Sequence, residues 1–191
     1  MRNLNPTEVK RLQRTWRRRT ERPLSLLLDS VQTPYNVGAI LRTAAAYQLD
    51  HVWFAGSSAT PDHPGSRKTS LGTERLVPWS VVATVADGAA MARAEGLEMI
   101  GLELAVGAEA LGDAVLLGGA CLVIGHEDRG LSSAGLAICD RFVYVATPGK
   151  VGSLNVGTAT AIALYEFRRQ EWSASFPSAE DSDAERVDLD T

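Results

Sequence analysis

The sequence has few of the residues that build disulfide frameworks or metal sites. Its 191 residues include 2 cysteines and 3 histidines, and none of them shows the close spacing of metal ligands. Cys121 lies inside an apolar run and Cys139 beside another. We therefore expect reduced thiols and no structural metal.

Long apolar runs are also missing. No apolar stretch reaches the roughly 20 residues that span a bilayer. The arginine-rich start lacks the apolar segment and small-residue cleavage site of a secretory signal. The sequence therefore predicts no membrane segment and a cytoplasmic location. A hydrophobic content of 45% is ordinary for one globular domain with a short appendage.

The 17 glycines form none of the usual nucleotide or hydrolase fingerprints. The chain has no G-x-x-x-x-G-K-[ST] phosphate loop and no G-x-G-x-x-G after the first predicted strand. It also has no G-x-S-x-G nucleophile elbow. These absences exclude the common kinase, NAD-dependent dehydrogenase and serine hydrolase classes.

Charge is divided between the two ends of the chain, although the net charge is only −4. Residues 1–22 carry eight Lys or Arg and two Glu, whereas residues 176–191 carry six acidic residues and one Arg. A polar, acidic segment cannot bury enough apolar surface to offset its ordering entropy. We expect a basic N-terminal arm (1–22), a folded domain (23–172) and a disordered acidic tail (173–191).

The basic arm is predicted to be an amphipathic helix. Asn5 fits its N-cap, Pro6 its first position, and Glu8 the third position of a capping box. Leu12 and Trp16 mark one apolar face at helical spacing. Two interpretations remain open, a solvated surface that keeps the chain soluble and a surface that binds a polyanion. The candidate contacts for RNA are Lys10, Arg11, Arg14, Arg18 and Arg19.

After Pro23, short apolar runs alternate with helical segments. Strands are predicted at 24–31, 51–56, 98–104, 120–125 and 141–147. Helices are predicted at 36–48, 84–96, 132–138 and 153–172. This alternation predicts an α/β fold, with a mostly parallel sheet covered by helices on both faces. The Pro-, Gly- and Ser-rich residues 57–78 are predicted to form a long connection that is functional or mobile.

Polar side chains gather in the loops that leave three predicted strands. Asn36 and Arg42 follow the first strand, Glu127 follows the fourth, and Ser153 and Asn155 follow the fifth. Such loops carry the ligand site of open α/β sheets, but Asn36 and Ser153 are also good helix caps. The glycine-rich turn before the last helix leaves two alternatives, a bound phosphate and a simple capped turn. Arg42 lies among apolar residues and alanines and predicts an anionic partner.

Three segments in this order resemble the motifs of a known family. They are "NVGAILR", "IGHEDRGL" and "SLNVGTATAIALYE", and together they are similar to the three motifs of the SpoU (TrmH) family of RNA ribose 2'-O-methyltransferases, in the SPOUT superfamily. The resemblance covers about residues 24–170. It implies an α/β sheet with a C-terminal trefoil knot that binds S-adenosylmethionine, and a homodimer.

The resemblance also assigns roles to residues. It gives Arg42 the deprotonation of the ribose hydroxyl, Asn36 the fixing of Arg42, and Glu127, Ser153 and Asn155 the shaping of the pocket. Arg42 would act at the cofactor of the partner subunit. The implied cofactor contacts are Leu102, Glu103, Gly125, Val145, Ala146, Ser153 and Leu154.

Arginine is an unsuitable general base, because its pKa exceeds about 12. Our hypothesis is that Arg42 holds the phosphate that flanks the target ribose and stabilises the developing alkoxide.

The choice of RNA substrate depends on the segments outside the motifs. No separate RNA-binding domain precedes the predicted catalytic domain, and the basic arm resembles those of tRNA-modifying members. We therefore expect a tRNA substrate, with a D-loop guanosine as the first candidate. His126 departs from the small or amide residue that relatives often have there. The alternatives are an rRNA substrate and a non-catalytic protein that binds RNA and cofactor.

Overall fold

The computed structural model describes residues 2–174. In chain order these residues form α1 (Pro6–Arg17), β1 (Leu24–Asp29), α2 (Pro34–Ala46), β2 (His51–Ala55), α3 (Pro64–Ser70), β3 (Trp79–Val82), α4 (Val85–Ala94), β4 (Glu98–Leu102), β5 (Glu109–Ala110), β6 (Ala120–Ile124), α5 (Ser133–Ile138), β7 (Arg141–Tyr144) and α6 (Val156–Ala174). The predicted acidic tail lies outside the described residues, apart from Ser173 and Ala174 at the end of α6.

The strands form a seven-stranded sheet in the order β3-β2-β1-β6-β4-β7-β5. Every ladder between neighbouring strands is parallel. β1 lies near the centre, where Leu28 aligns with Phe54 on one side and with Ile124 on the other. The predicted parallel α/β sheet is confirmed. The trefoil knot that the resemblance implies stays a prediction.

Both faces of the sheet are covered, because successive side chains of a strand point to opposite faces. Leu26 and Leu28 of β1 belong to the core that packs against α2 and α6. Leu27 belongs to a second core, which includes Ala89 of α4. All six residues of β1 are buried, which explains the leucine-rich sequence that predicted this strand.

The predicted connection 57–78 is largely structured. It contains α3, and its packing depends on Gly38 of α2, where an added Cβ would collide with the backbone of Ser66 and the hydroxyl of Thr69. Local sequence did not predict this helix, since a short Pro- and Ser-rich segment becomes helical through tertiary contacts. Edge strand β3 was missed for a similar reason, because it is short and only partly buried.

The end of α6 holds the segment that enters β1. Arg168 and Glu171 are both buried and pair at 2.7 Å. The Glu171 carboxylate accepts hydrogen bonds from the backbone N–H groups of Glu21 at 2.6 Å and Arg22 at 2.7 Å. Arg168 also donates to the carbonyl of Tyr47 after α2. This buried pair joins α6, α2 and the start of the sheet.

Candidate active site

The loops after β1, β6 and β7 meet in a chain of side-chain hydrogen bonds. Asn36 Nδ2 donates to Glu127 Oε1 at 3.1 Å. Asn155 Nδ2 donates to Asn36 Oδ1 at 3.0 Å. Three of the predicted catalytic residues, far apart in sequence, are therefore in direct contact at the carboxyl edge of the sheet.

Glu127 connects these side-chain hydrogen bonds to the backbone of the loop before α2. Its carboxylate also accepts from the backbone N–H groups of Gln32 at 3.2 Å and Thr33 at 2.8 Å, where the chain enters α2. Burial raises the pKa of Glu127, but hydrogen bonds from its own backbone N–H, from Asn36 and from Thr33 outweigh burial and hold that pKa at about 2. Glu127 is therefore ionised at neutral pH and is too weak a base to take a proton from a hydroxyl.

Of the polar residues Asn36, Ser153 and Asn155, only Asn155 caps a helix. Asn155 Oδ1 accepts from the backbone N–H groups of Gly157 at 3.0 Å and Thr158 at 3.2 Å, and it caps α6. Asn36 is not a cap, because the N-cap of α2 is Thr33. Ser153 is not a cap either, since α6 begins at Val156. The prediction that this helix begins at 153 was wrong for the same reason.

A cavity of about 520 Å³ opens beside these hydrogen-bonded side chains, between the loops that follow β4, β6 and β7. Glu127 and Ser153 line it. It is also lined by every other residue predicted to contact the cofactor except Ala146, namely Leu102, Glu103, Gly125, Val145 and Leu154. Ala146 is exposed and is not among the lining residues. The cavity has the size and the mixed apolar and polar lining of a small-molecule site.

Two glycines shape the turn that carries Glu127. His126 and Gly130 exchange backbone hydrogen bonds at 2.9 Å in both directions, and Gly130 has a φ of +67°, which favours glycine. A Cβ at Gly125 would collide with the backbone of Gly130, and one at Gly130 would collide with the Glu103 carboxylate. Glu103 itself accepts from the backbone N–H of Leu131 at 2.9 Å. Glu103 therefore orders the turn as well as lining the cavity.

Sequence reasoning missed several lining residues. Each lies at the end of a strand, in the loop that follows a strand, or at the start of α6, so the signal that could have found them is position. They are Leu104, Ile124, Asp128, Arg129, Tyr144, Thr147, Gly152, Val156 and Ala159. His126 and Gly130, which the sequence analysis had placed in the second motif, line the cavity as well.

Arg42 lies apart from this chain of hydrogen bonds. It is exposed on the outer face of α2 and is not among the residues that line the cavity. Its side chain makes no hydrogen bond or ion pair with any residue from 2 to 174. Its guanidinium is therefore available to a ligand or to another chain.

The basic arm begins with the predicted capping box, in which Asn5 and Glu8 exchange hydrogen bonds. No residue of α1 is buried. The ring of Trp16 lies 4.8 Å from that of Trp172 on α6, and the guanidinium of Arg19 lies 5.3 Å from the ring centre of Trp16. The other predicted RNA contacts are exposed, namely Lys10, Arg11, Arg14 and Arg18. The arm thus presents a basic surface beside the end of α6.

Between residues 2 and 174, no group of three or more His, Cys, Asp or Glu is placed to hold a metal ion. Within the same range, no helix has the length and apolar character needed to cross a membrane.

Two known proteins that are similar to this chain are both named as RNA guanosine 2'-O-methyltransferases. The chain is 29% identical to the tRNA (guanosine(18)-2'-O)-methyltransferase of Escherichia coli K12, over 94% of this chain and 77% of that enzyme. It is 37% identical to a 23S rRNA (guanosine-2'-O-)-methyltransferase of Xanthomonas axonopodis pv. citri, over 80% of this chain and 61% of that protein.

Among solved structures, the SpoU methyltransferase AviRb of Streptomyces viridochromogenes, in complex with the cofactor AdoMet, has a TM-score of 0.72 and 31% identity, over 80% of this chain and 62% of that one. The chain thus spans less than two thirds of the Xanthomonas and Streptomyces proteins. The model of the SpoU rRNA methylase family matches residues 23–165, a range that holds every side chain of the hydrogen-bonded site. The chain belongs to the SpoU rRNA methylase family.

Proposed function

We propose that this chain transfers a methyl group from S-adenosylmethionine to a ribose 2'-hydroxyl of structured RNA, in the cytoplasm. The observation that carries the proposal is the Glu127–Asn36–Asn155 chain of hydrogen bonds beside the cavity. Glu127 of this chain of hydrogen bonds and the nearby Ser153 both line a pocket that fits a small cofactor. The relatives named above methylate guanosine 2'-hydroxyls in RNA, according to their names.

The cavity residues suit S-adenosylmethionine, which supplies a methyl carbon on a positively charged sulfonium. Leu102, Val145 and Leu154 offer apolar surface for an adenine ring. The loop around Gly125 begins where strand β6 ends, which is where open α/β sheets place their ligands. We infer that the cofactor binds in this cavity, within the trefoil knot that the family resemblance implies.

The polar residues would position the ribose. Asn36 donates through Nδ2 to Glu127 and accepts through Oδ1 from Asn155, so both ends of its amide are fixed. Ser153 is exposed at the cavity and is free to contact the sugar. Preorganised polar groups of this kind lower the cost of aligning a nucleophile.

Arg42 would hold the phosphate next to the target ribose and stabilise the developing alkoxide. Arg42→Lys tests this role, because lysine keeps the charge but not the bidentate fork. Equal losses of RNA affinity and of rate would support a clamp. Intact RNA binding without turnover would instead support a chemical role.

We further propose a homodimer in which Arg42 completes the site of the partner subunit. Arg42 does not line the cavity of its own chain, so a second copy would have to supply it. The outer face of α6 exposes Ile162 at 39% and Tyr165 at 49%, and Ala46 is exposed on α2 beside it. Such apolar surface on neighbouring helices suits a self-complementary interface.

We favour tRNA, and a D-loop guanosine, as the substrate. The match to the Escherichia coli tRNA enzyme covers 94% of this chain and so reaches into the basic arm, whereas the match to the rRNA enzyme covers 80%. The exposed arginines of α1 would contact the RNA backbone, which proteins read by shape and charge. An rRNA substrate is the second candidate, because an rRNA enzyme is the more identical of the two relatives.

The deciding experiment offers labelled S-adenosylmethionine with bulk tRNA and with rRNA in separate reactions, followed by nuclease mapping of the labelled nucleotide. We expect label in tRNA, on a guanosine ribose. Label only in rRNA would contradict the substrate, and no label in either RNA would favour a non-catalytic binding protein.

A further inference from the structure

The outer face of α2 carries a stripe of four exposed residues. Tyr35, Ala39, Arg42 and Ala46 recur at intervals of three or four residues and are all exposed, so they lie along one side of the helix. Two of the four are alanines, which leave space between the larger side chains. The stripe is therefore a shallow track with Tyr35 near one end and Arg42 further along.

Neighbouring helices flank this stripe on both sides. On one side lies α3, whose Thr69 hydroxyl donates to the carbonyl of Tyr35 at 3.0 Å. On the other side lies the start of α6, where a Cβ at Gly157 would be 3.6 Å from the Cβ of Ala39. Gly157 is two residues from Asn155, so the track passes directly beside the hydrogen-bonded site.

Tyr35 precedes Asn36 of the hydrogen-bonded site in sequence and is 52% exposed. The next residue, Asn36, turns its amide towards Glu127 and Asn155. Successive helical residues point about 100° apart, so the Tyr35 ring lies outside the cluster that holds Asn36. A large exposed aromatic ring here has no packing role that the structure shows.

The base of the methylated nucleotide would lie beside Tyr35 of the chain that holds its ribose. Asn36 follows Tyr35 in the sequence and accepts a hydrogen bond from Asn155 of the same chain. A ribose held at this pair would therefore leave its base near the Tyr35 ring. In the homodimer proposed above, the Arg42 that holds the flanking phosphate belongs to the partner subunit.

We propose that Tyr35 stacks on the base of the nucleotide whose ribose is methylated, and that Lys68 of α3 contacts a phosphate of the same RNA strand. This inference rests on the proposed function. Lys68 is exposed next to Thr69 and has no ion pair with residues 2–174. Aromatic stacking accepts any base, so Tyr35 orients the nucleotide without selecting its identity.

The first test compares Tyr35→Ala with Tyr35→Phe in steady-state methyl transfer to the RNA that the wild-type chain methylates. Loss of one stacked base weakens binding by about 5- to 150-fold, so we expect KM for RNA to rise by that factor in Tyr35→Ala. Tyr35→Phe keeps the ring and should behave as wild type. The matched control is Met91→Ala, which removes a 46% exposed apolar side chain from α4 on the other face of the sheet.

Two further measurements separate stacking from a structural role. With 2-aminopurine at the methylated position, wild type and Tyr35→Phe should quench its fluorescence on binding, and Tyr35→Ala should not. Affinity for S-adenosylmethionine and the oligomeric state should be unchanged in Tyr35→Ala. Lys68→Gln should lower the slope of log affinity against log salt by about 1, the amount expected for the loss of one phosphate contact.

The outcomes distinguish this inference from the function on which it rests. If the wild-type chain methylates no RNA, the proposed function fails first. If wild type is active, an unchanged KM and retained quenching in Tyr35→Ala would overturn the stacking role. A Tyr35→Ala variant that loses its oligomeric state would also overturn it, since the ring would then belong to a protein interface.

Discussion

At the scale of single residues, one side chain can serve both a helix and the candidate site. Asn155 caps α6 through Oδ1 and holds Asn36 through Nδ2. The capped turn that the sequence offered for this loop is confirmed at Asn155, and the same amide also bonds to Asn36, because an amide has both an acceptor and a donor end. The bound phosphate stays a prediction. Glu127 likewise ties the start of α2 to the site while its charge stays fixed.

Substitution of Asn155 separates its two roles. Asn155→Asp keeps an acceptor for the helix N–H groups but cannot donate to Asn36, so we expect near wild-type thermal stability with methyl transfer reduced at least tenfold, about the cost of one lost hydrogen bond. Asn155→Ala loses both contacts, and it should also lose about 1 kcal/mol of stability. Thermal unfolding and rate measurements on both variants check this, and equal stability of the two variants would contradict the capping role.

Glu127→Gln should reveal the pH dependence of the site. The folded pKa of Glu127 is lowered from 4.5 to about 2, so its stabilising effect is complete above pH 4.5 and is lost as pH falls towards 2. The amide replaces an ionised acceptor and costs about 1–3 kcal/mol at neutral pH. Urea unfolding of both chains at pH 7, 5 and 3 measures the difference, which should shrink at pH 3. A difference that is the same at all three values would show that this charge is not the cause.

At the scale of elements, helices and strands with strong apolar patterns were predicted within a few residues, and weak ones were missed. β1 and β6 are buried throughout, so their apolar runs identified them. α3 is short, and it is held by contact with Gly38 of α2, a residue distant in sequence. The capping box of α1 was predictable because it lies within four residues of sequence.

The function of α1 can be tested by salt dependence. If arginines of the basic arm contact RNA phosphates, Arg14→Gln in α1 and Arg18→Gln just after it should each weaken RNA binding and lower the slope of log affinity against log salt by about 0.7–0.9. Neither residue is near the cavity, so affinity for S-adenosylmethionine is the internal control and should stay constant. Unchanged slopes in both variants would support the alternative, a solvated surface without RNA contacts.

At the scale of the whole molecule, the proposed dimer makes a quantitative prediction. Arg42→Ala and Asn155→Ala should each be inactive alone. If Arg42 acts in the partner's site, mixed dimers regain one complete site, and an equal mixture after subunit exchange should recover about one quarter of wild-type activity. Methyl transfer before and after exchange measures this. No recovery, with exchange verified by mass, would show that Arg42 acts within its own chain.

The sequence by itself determined the parallel α/β class, the basic arm and the residues that meet at the carboxyl edge of the sheet. Apolar periodicity, helix caps and the order of motifs can be recognised in the sequence without knowing how the chain packs. The motif residues Asn36, Glu127 and Asn155 could be named from the sequence, but their hydrogen bonds could not.

Only the tertiary structure decided which groups contact one another. It showed that Asn36 is no helix cap, that Ala146 lies outside the cavity lining, and that α3 flanks the exposed stripe of α2. It also showed a Glu127 carboxylate held ionised by N–H groups from a loop almost a hundred residues earlier in the chain. Such contacts depend on how distant segments pack, and no local pattern encodes that geometry.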